Sequence, residues 1–125
     1  VATQKLTSQQ DTAGSQAEKL AAVYLQEQGL KLVTSNYRCR FGEIDLIMRD
    51  DKTLIFVEVR LRSSGSFGGA AYSINASKQK KLIITAEHYL QQHSAAAKMA
   101  CRFDAILMDK TSAQNVQWIQ NAFDA

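Results

Sequence analysis

A chain of 125 residues that is 46% hydrophobic and 22% charged has room for one globular domain with its own core, which argues against two domains or a disordered tail. No apolar run approaches the ~18 residues of a membrane span, and the N-terminus lacks the basic-then-apolar order of a signal peptide. Lys and Arg number 15 against 12 Asp and Glu, and the resulting charge of +3 is compatible with a polyanionic partner without naming one.

The first ten residues are polar and rich in Gln, Ser and Thr, which predicts a loose start, with Thr7 or Thr12 able to cap a first helix. Ala13, Ala17, Leu20, Ala21, Tyr24 and Leu25 recur at spacings of three and four, the stripe of an amphipathic helix that Gly29 is suited to end. Glu18 sits beside that stripe. Short β-like runs come next at Leu30 to Tyr37, Glu43 to Arg49 and Thr53 to Leu61, separated by Gly42 and by Asp50-Asp51-Lys52. After a glycine-rich loop, Ser63 to Gly69, the spacing of Leu82, Ile83, Ala86, Tyr89 and Leu90 predicts a second helix starting near Asn75 or Ser77. Arg102 to Met108 alternates as a strand, and Val116 to Ile119 reads as a short last one. This order predicts a single α/β domain over residues 1–125, with a mixed central sheet and the second helix as a crossover. Cys39 and Cys101 stand far apart without a Cys-x-x-Cys pair, as expected of reduced thiols in a cytoplasmic protein.

Period-two alternation groups Ile44, Leu46 and Met48 on one face of the second run and Glu43, Asp45, Ile47 and Arg49 on the other. In the third run it groups Ile55, Val57, Val59 and Leu61 against Phe56, Glu58, Arg60 and Arg62. A two-residue turn at Asp51-Lys52 would set Ile47 opposite Phe56 and Asp45 opposite Glu58. Directly opposed carboxylates, about 5 Å apart at Cβ, repel unless something positive lies between them, and a divalent cation would serve. Mg²⁺ typically takes one or two protein carboxylates and leaves positions for water or phosphate oxygens, which suits phosphodiester hydrolysis. The plainer reading is a solvated polar face with Glu43 and Arg60 as a cross-strand ion pair. Against it stands the apolar character of the strand that carries Glu58 and Arg60.

Gly14 with Glu18, GEIDLI at Gly42 to Ile47, FVEVRLR at Phe56 to Arg62, Lys78 and Lys81 with Ala86 and Tyr89-Leu90, and RFDAIL at Arg102 to Leu107 resemble the YraN family over nearly the whole chain. The resemblance implies a restriction-endonuclease-like three-layer sandwich of the PD-(D/E)xK type, helices on both faces of a mixed sheet, similar to Holliday-junction resolvases and RecB-type nuclease domains. It further implies Glu18 as a first-helix acid and Asp45 and Glu58 as acids that hold Mg²⁺ or Mn²⁺, and the likeness to resolvases implies a homodimer. Arg60 stands where the nuclease motif has lysine. It is always charged and cannot be a base, though it can stabilise developing charge or orient water, and Lys78, at the start of the second helix, is the alternative residue to reach into the site.

Lys78, Lys80 and Lys81 are expected in the first turn of the second helix, against its macrodipole, where a solvated basic turn is one reading and phosphate contact the other. With Arg40 and Arg62 they would form a nucleic-acid footprint. The glycine-rich loop lacks the ending of a P-loop, and His88 and His93, five apart, lack zinc-motif spacing. Trp118 reads as core, and Asp104 as support for the site or partner of a basic residue. Two functions fit these residues: a metal-dependent nuclease acting on DNA, with Glu18, Asp45, Glu58 and Arg60 catalytic, or a non-catalytic nucleic-acid-binding or adaptor module of the same fold.

Overall fold

The computed structural model describes residues 13–62, 74–109 and 115–124. The expected loose start, the Thr7 and Thr12 caps and the glycine-rich loop lie outside those residues.

Helix α1 (Ala13–Glu27) buries Ala17, Ala21, Ala22 and Leu25. Leu20, expected in that stripe, is exposed, because the small alanines bring the helix close to the sheet and leave a narrow contact strip. Gly29 ends the helix in the left-handed region at φ 103°. There the N–H of Leu30 donates to the carbonyl of Leu25 and that of Gly29 to Gln26, both at 3.0 Å, while Leu30 joins Leu25 in the core.

Five strands complete the fold: β1 (Lys31–Cys39), β2 (Gly42–Arg49), β3 (Thr53–Arg62), β4 (Ala100–Asp109) and β5 (Val116–Phe123). They form one sheet in the order β1-β2-β3-β4-β5. All neighbours are antiparallel except β3 and β4, which helix α2 (Ala76–Gln92) joins as a parallel crossover. A short 3₁₀ turn (Ala96–Lys98) leads from α2 into β4. The Oδ1 of Asp50 accepts from the N–H of Lys52 and Thr53, the side-chain turn that closes the β2–β3 hairpin and sets Ile47 opposite Phe56. Asn75 caps α2 by accepting from the N–H of Lys78.

Alternation in the inner strands fills two cores. Leu46, Met48, Ile55, Val57, Ile106 and Met108 pack with α1, and Ile47, Leu54, Phe56 and Phe103 pack with Leu82, Ala86 and Tyr89 of α2. The helices therefore cover opposite faces, and the architecture is the α/β three-layer sandwich with a five-stranded mixed sheet, consistent with the restriction-endonuclease-like expectation.

One expected face is wrong, and the error matters for the site. Ile44 packs with Ile47 on the α2 side, not with Leu46 and Met48. Asn36 adopts a left-handed φ of 54° between the pairs Ser35↔Leu46 and Tyr37↔Ile44, and β2–β3 pairing stops at Leu46↔Val57. One step of alternation is lost at Asp45, so the residues before it present opposite faces to those after it. Asp45 thereby turns toward α1.

Candidate active site

The strands β2 and β3 part just beyond Leu46 and Val57, and Asp45 fills the gap. Its Oδ2 accepts from the backbone N–H of Val59 at 2.8 Å. It therefore does not face Glu58 across a continuing ladder, as the hairpin register alone suggested. The Glu18 carboxyl, from α1, hydrogen bonds to Asp45 and to the side chain of Asn36. Two carboxyls share such a bond only when one carries a proton. Burial is the main cause that pushes Asp45 up to about 7, opposed by the Val59 N–H and reinforced by the charges of Glu18, Glu58 and Glu43. Burial raises Glu18 as well.

Glu58 lies on the opposite face of β3 from Val57 and Val59, toward α2, with 6% of its side chain exposed. Its Oε2 accepts from Nε of Arg60 at 3.1 Å, and its Oε1 stands 3.6 Å from Nζ of Lys78. Lys78, half-buried, thus reaches Glu58 from the first turn of α2. Lys80 and Lys81 lie one turn further along, outside the first turn where they were expected, and both are exposed. Arg40 is exposed in the β1–β2 turn. Arg62 ends β3 in register with Asp109. Glu43 pairs with Arg38 across β1 and β2 at 3.1 Å, rather than with Arg60 as expected. Strand separation takes β3 out of its reach, whereas β1 stays paired with it.

The structure thus brings the charges of Glu18 and Glu58 to bear on Asp45 and sets Arg60 and Lys78 against Glu58, while among the described residues Arg40, Lys80 and Lys81 are exposed and make no contact with these acids. Sequence reasoning missed Asn36 and the Val59 N–H, which hold Glu18 and Asp45. An asparagine inside a β-like run was the available signal, because asparagine tolerates the left-handed backbone. Asp104 is buried and bonds Arg102, the indole N–H of the half-buried Trp118 and the N–H of Asn121, so it serves the β4–β5 join. His88 bonds the Tyr37 hydroxyl, and His93, exposed, bonds the Tyr89 carbonyl.

The donor set fits a divalent cation in a limited sense. Asp45 and Glu58 offer hard oxygen ligands in a negative field, the chemistry Mg²⁺ and Mn²⁺ favour. Among the described residues no group of three or more His, Cys, Asp or Glu side chains is arranged to hold a metal. A cation here would draw its remaining ligands from water or a phosphate. No helix among the described residues is long and apolar enough to cross a membrane.

The model of the uncharacterised protein family UPF0102 matches residues 17–108, from within α1 to within β4, a span that contains Glu18, Asp45 and Glu58. The chain is 58% identical over 112 residues to a UPF0102 protein of Methylobacillus flagellatus, covering 90% of this chain and 96% of that one. It is 59% identical over 111 residues to one of Nitrosomonas europaea, with 89% and 92% covered. To a Psychromonas ingrahamii relative it is 54% identical over 119 residues, with 95% of each covered. With the family model matched over most of its length and relatives identical at more than half of the aligned positions over nearly the whole chain, this chain belongs to the uncharacterised protein family UPF0102, the YraN family.

Proposed function

We propose that this protein is a metal-dependent nuclease that hydrolyses phosphodiester bonds in DNA, including branched or otherwise structured DNA. The observation that carries the reading is Asp45, a carboxyl lodged where two strands part, held near neutrality by burial and by Glu18, Glu58 and Glu43. Carboxyls displaced in this way concentrate at functional sites. A divalent cation held by Asp45 and Glu58 would supply Lewis acidity toward the phosphodiester and its attacking water. Glu18 supports Asp45 and shares its proton. Arg60, permanently charged, offsets the negative charge that grows on the phosphoryl oxygens and does not act as a base. Arg40, Arg62, Lys78, Lys80 and Lys81 supply the positive field that draws the backbone in.

Calorimetric titration with Mg²⁺ and Mn²⁺, and then cleavage assays on single-stranded, duplex and branched DNA, test this. Metal affinity should rise with pH up to about 7, as Asp45 gives up its proton, and level off above it. Asp45→Ala and Glu58→Ala should abolish metal binding and lower cleavage on the order of a hundredfold or more. Folded variants that cleave as well as the wild type would overturn the assignment.

One observation favours the second reading, a non-catalytic nucleic-acid-binding module: both oxygens of Glu58 already face cations of the same chain, Arg60 and Lys78. That reading expects salt-sensitive DNA binding without any metal requirement, retained in Asp45→Ala.

A further inference from the structure

The turn between β1 and β2 consists of Arg40 and Phe41, since Cys39 and Gly42 are the last pair. Two-residue hairpin turns favour asparagine, aspartate and glycine at φ above zero. Here a long cation and a large ring hold those places, and neither is among the residues with positive φ. Turn geometry therefore does not explain the choice. Phe41 is 40% exposed, yet its surroundings are ordered. The Arg40 guanidinium lies over its ring, 4.9 Å from the centroid. His88 meets it edge-on at 6.2 Å, and the backbone N–H of Phe41 donates to Sγ of Cys39.

The tip is also anchored. Gly42 approaches α2 so closely that a Cβ there would stand 2.9 Å from Oγ1 of Thr85 and 3.9 Å from Cβ of Lys81. Lys81 lies one turn beyond Lys78, the residue that reaches Glu58. An exposed ring thus lies against the Arg40 guanidinium, in a turn whose next residue, Gly42, is seated on α2 beside Lys81. A π-face in a positive setting suits a base that has left its stack, and stacked duplex bases offer no such face to a hairpin tip.

We propose that the Arg40–Phe41 turn is a stacking platform for an unpaired base, which makes single-stranded or branched DNA, rather than continuous duplex, the nucleic acid this protein takes. The inference rests on the nucleic-acid reading given above, and it does not depend on cleavage.

Fluorescence anisotropy with one labelled oligonucleotide, presented single-stranded, as a blunt duplex and within a four-way junction, tests the proposal at fixed salt, in EDTA and again in Mg²⁺. Wild type should prefer the single strand and the junction over the duplex. Phe41→Ala should weaken those two by roughly fivefold to a hundredfold and change duplex affinity less than twofold. Phe41→Leu, which keeps apolar bulk without a π-face, should behave as Phe41→Ala, and Phe41→Trp should bind as wild type does. Circular dichroism confirms that each variant is folded. Equal losses on all three DNAs, or none, would overturn the stacking role and leave DNA binding itself standing. A Phe41→Ala protein whose oligomeric state changes while its single-strand affinity does not would mark the tip as a self-association contact and equally overturn it. If wild type binds none of the three, the nucleic-acid reading fails and this inference falls with it.

Discussion

Asp45 sets up an opposition between stability and chemistry within one side chain. Its folded pKa of about 7 lies above the ordinary aspartate value, so the folded state holds a proton that the unfolded chain has released. Below about pH 4 both states are protonated and the group costs nothing, and as pH rises from about 4 to about 7 the folded state is progressively destabilised, the cost levelling off above 7. At about 1.4 kcal/mol per tenfold displacement, the cost at pH 8 is of the order of a few kcal/mol. Asp45→Asn keeps an acceptor for the Val59 N–H and removes the charge. It should therefore raise the urea midpoint at pH 8, with the gain shrinking to nothing near pH 4. An Asn variant no more stable than wild type at pH 8 would show that the acids do not strain the fold.

Individual elements were legible from the sequence to very different degrees. The β2–β3 register could be read from Asp50 to Thr53 alone, because an aspartate ahead of two polar residues encodes its own turn, and the start of α2 could be read from Asn75 by the same local chemistry. The face of Ile44 could not, because the break in alternation involves Asn36, on the neighbouring strand, and the parting of β3, neither of which a single strand's pattern contains. For the same reason Glu18, Asp45 and Glu58 were legible one at a time, and Lys78 as a residue able to reach into the site, whereas the contact of Glu18 with Asp45 and the pairing of Lys78 with Glu58 in particular depend on two helices lying over opposite faces. Gly42 belongs to this scale. Its φ of 156° and the Thr85 oxygen 2.9 Å from any Cβ leave no room for a side chain. Gly42→Ala should cost about 1–3 kcal/mol by chemical denaturation. Adding Thr85→Ala should make the pair less destabilised than the sum of its parts, and strict additivity would place the strain in the backbone alone.

In the whole molecule, β5 is held by polar chemistry as much as by packing. Its ladder with β4 slips between Phe103 and Ala105, and Asp104 occupies the slip with 1% of its surface exposed. Its Oδ1 accepts from the N–H of Asn121 at 3.0 Å and its Oδ2 from Nε1 of Trp118 at 2.9 Å, with Arg102 supplying the opposite charge. Asp104→Ala would strand a guanidinium with 22% of its side chain exposed, together with two N–H donors. It should cost about 3–5 kcal/mol, whereas Trp118→Phe, which removes one bond, should cost about 1. Hydrogen exchange should show the Asp104→Ala loss concentrated in β5, and uniform loss across the sheet would show that Asp104 does not act locally.

The two asparagines in left-handed conformation, Asn36 and Asn121, lie one in each outermost strand of the sheet. β1 adds a register shift between Leu32 and Thr34, and β5 meets the slip beside Asp104. Each outer strand is therefore bent out of line midway, and its row of unused N–H and C=O groups is not a straight template for another chain. The irregularity that aims Asp45 at Glu18 thus also makes an outer strand of the sheet a poorer template for open-ended strand addition.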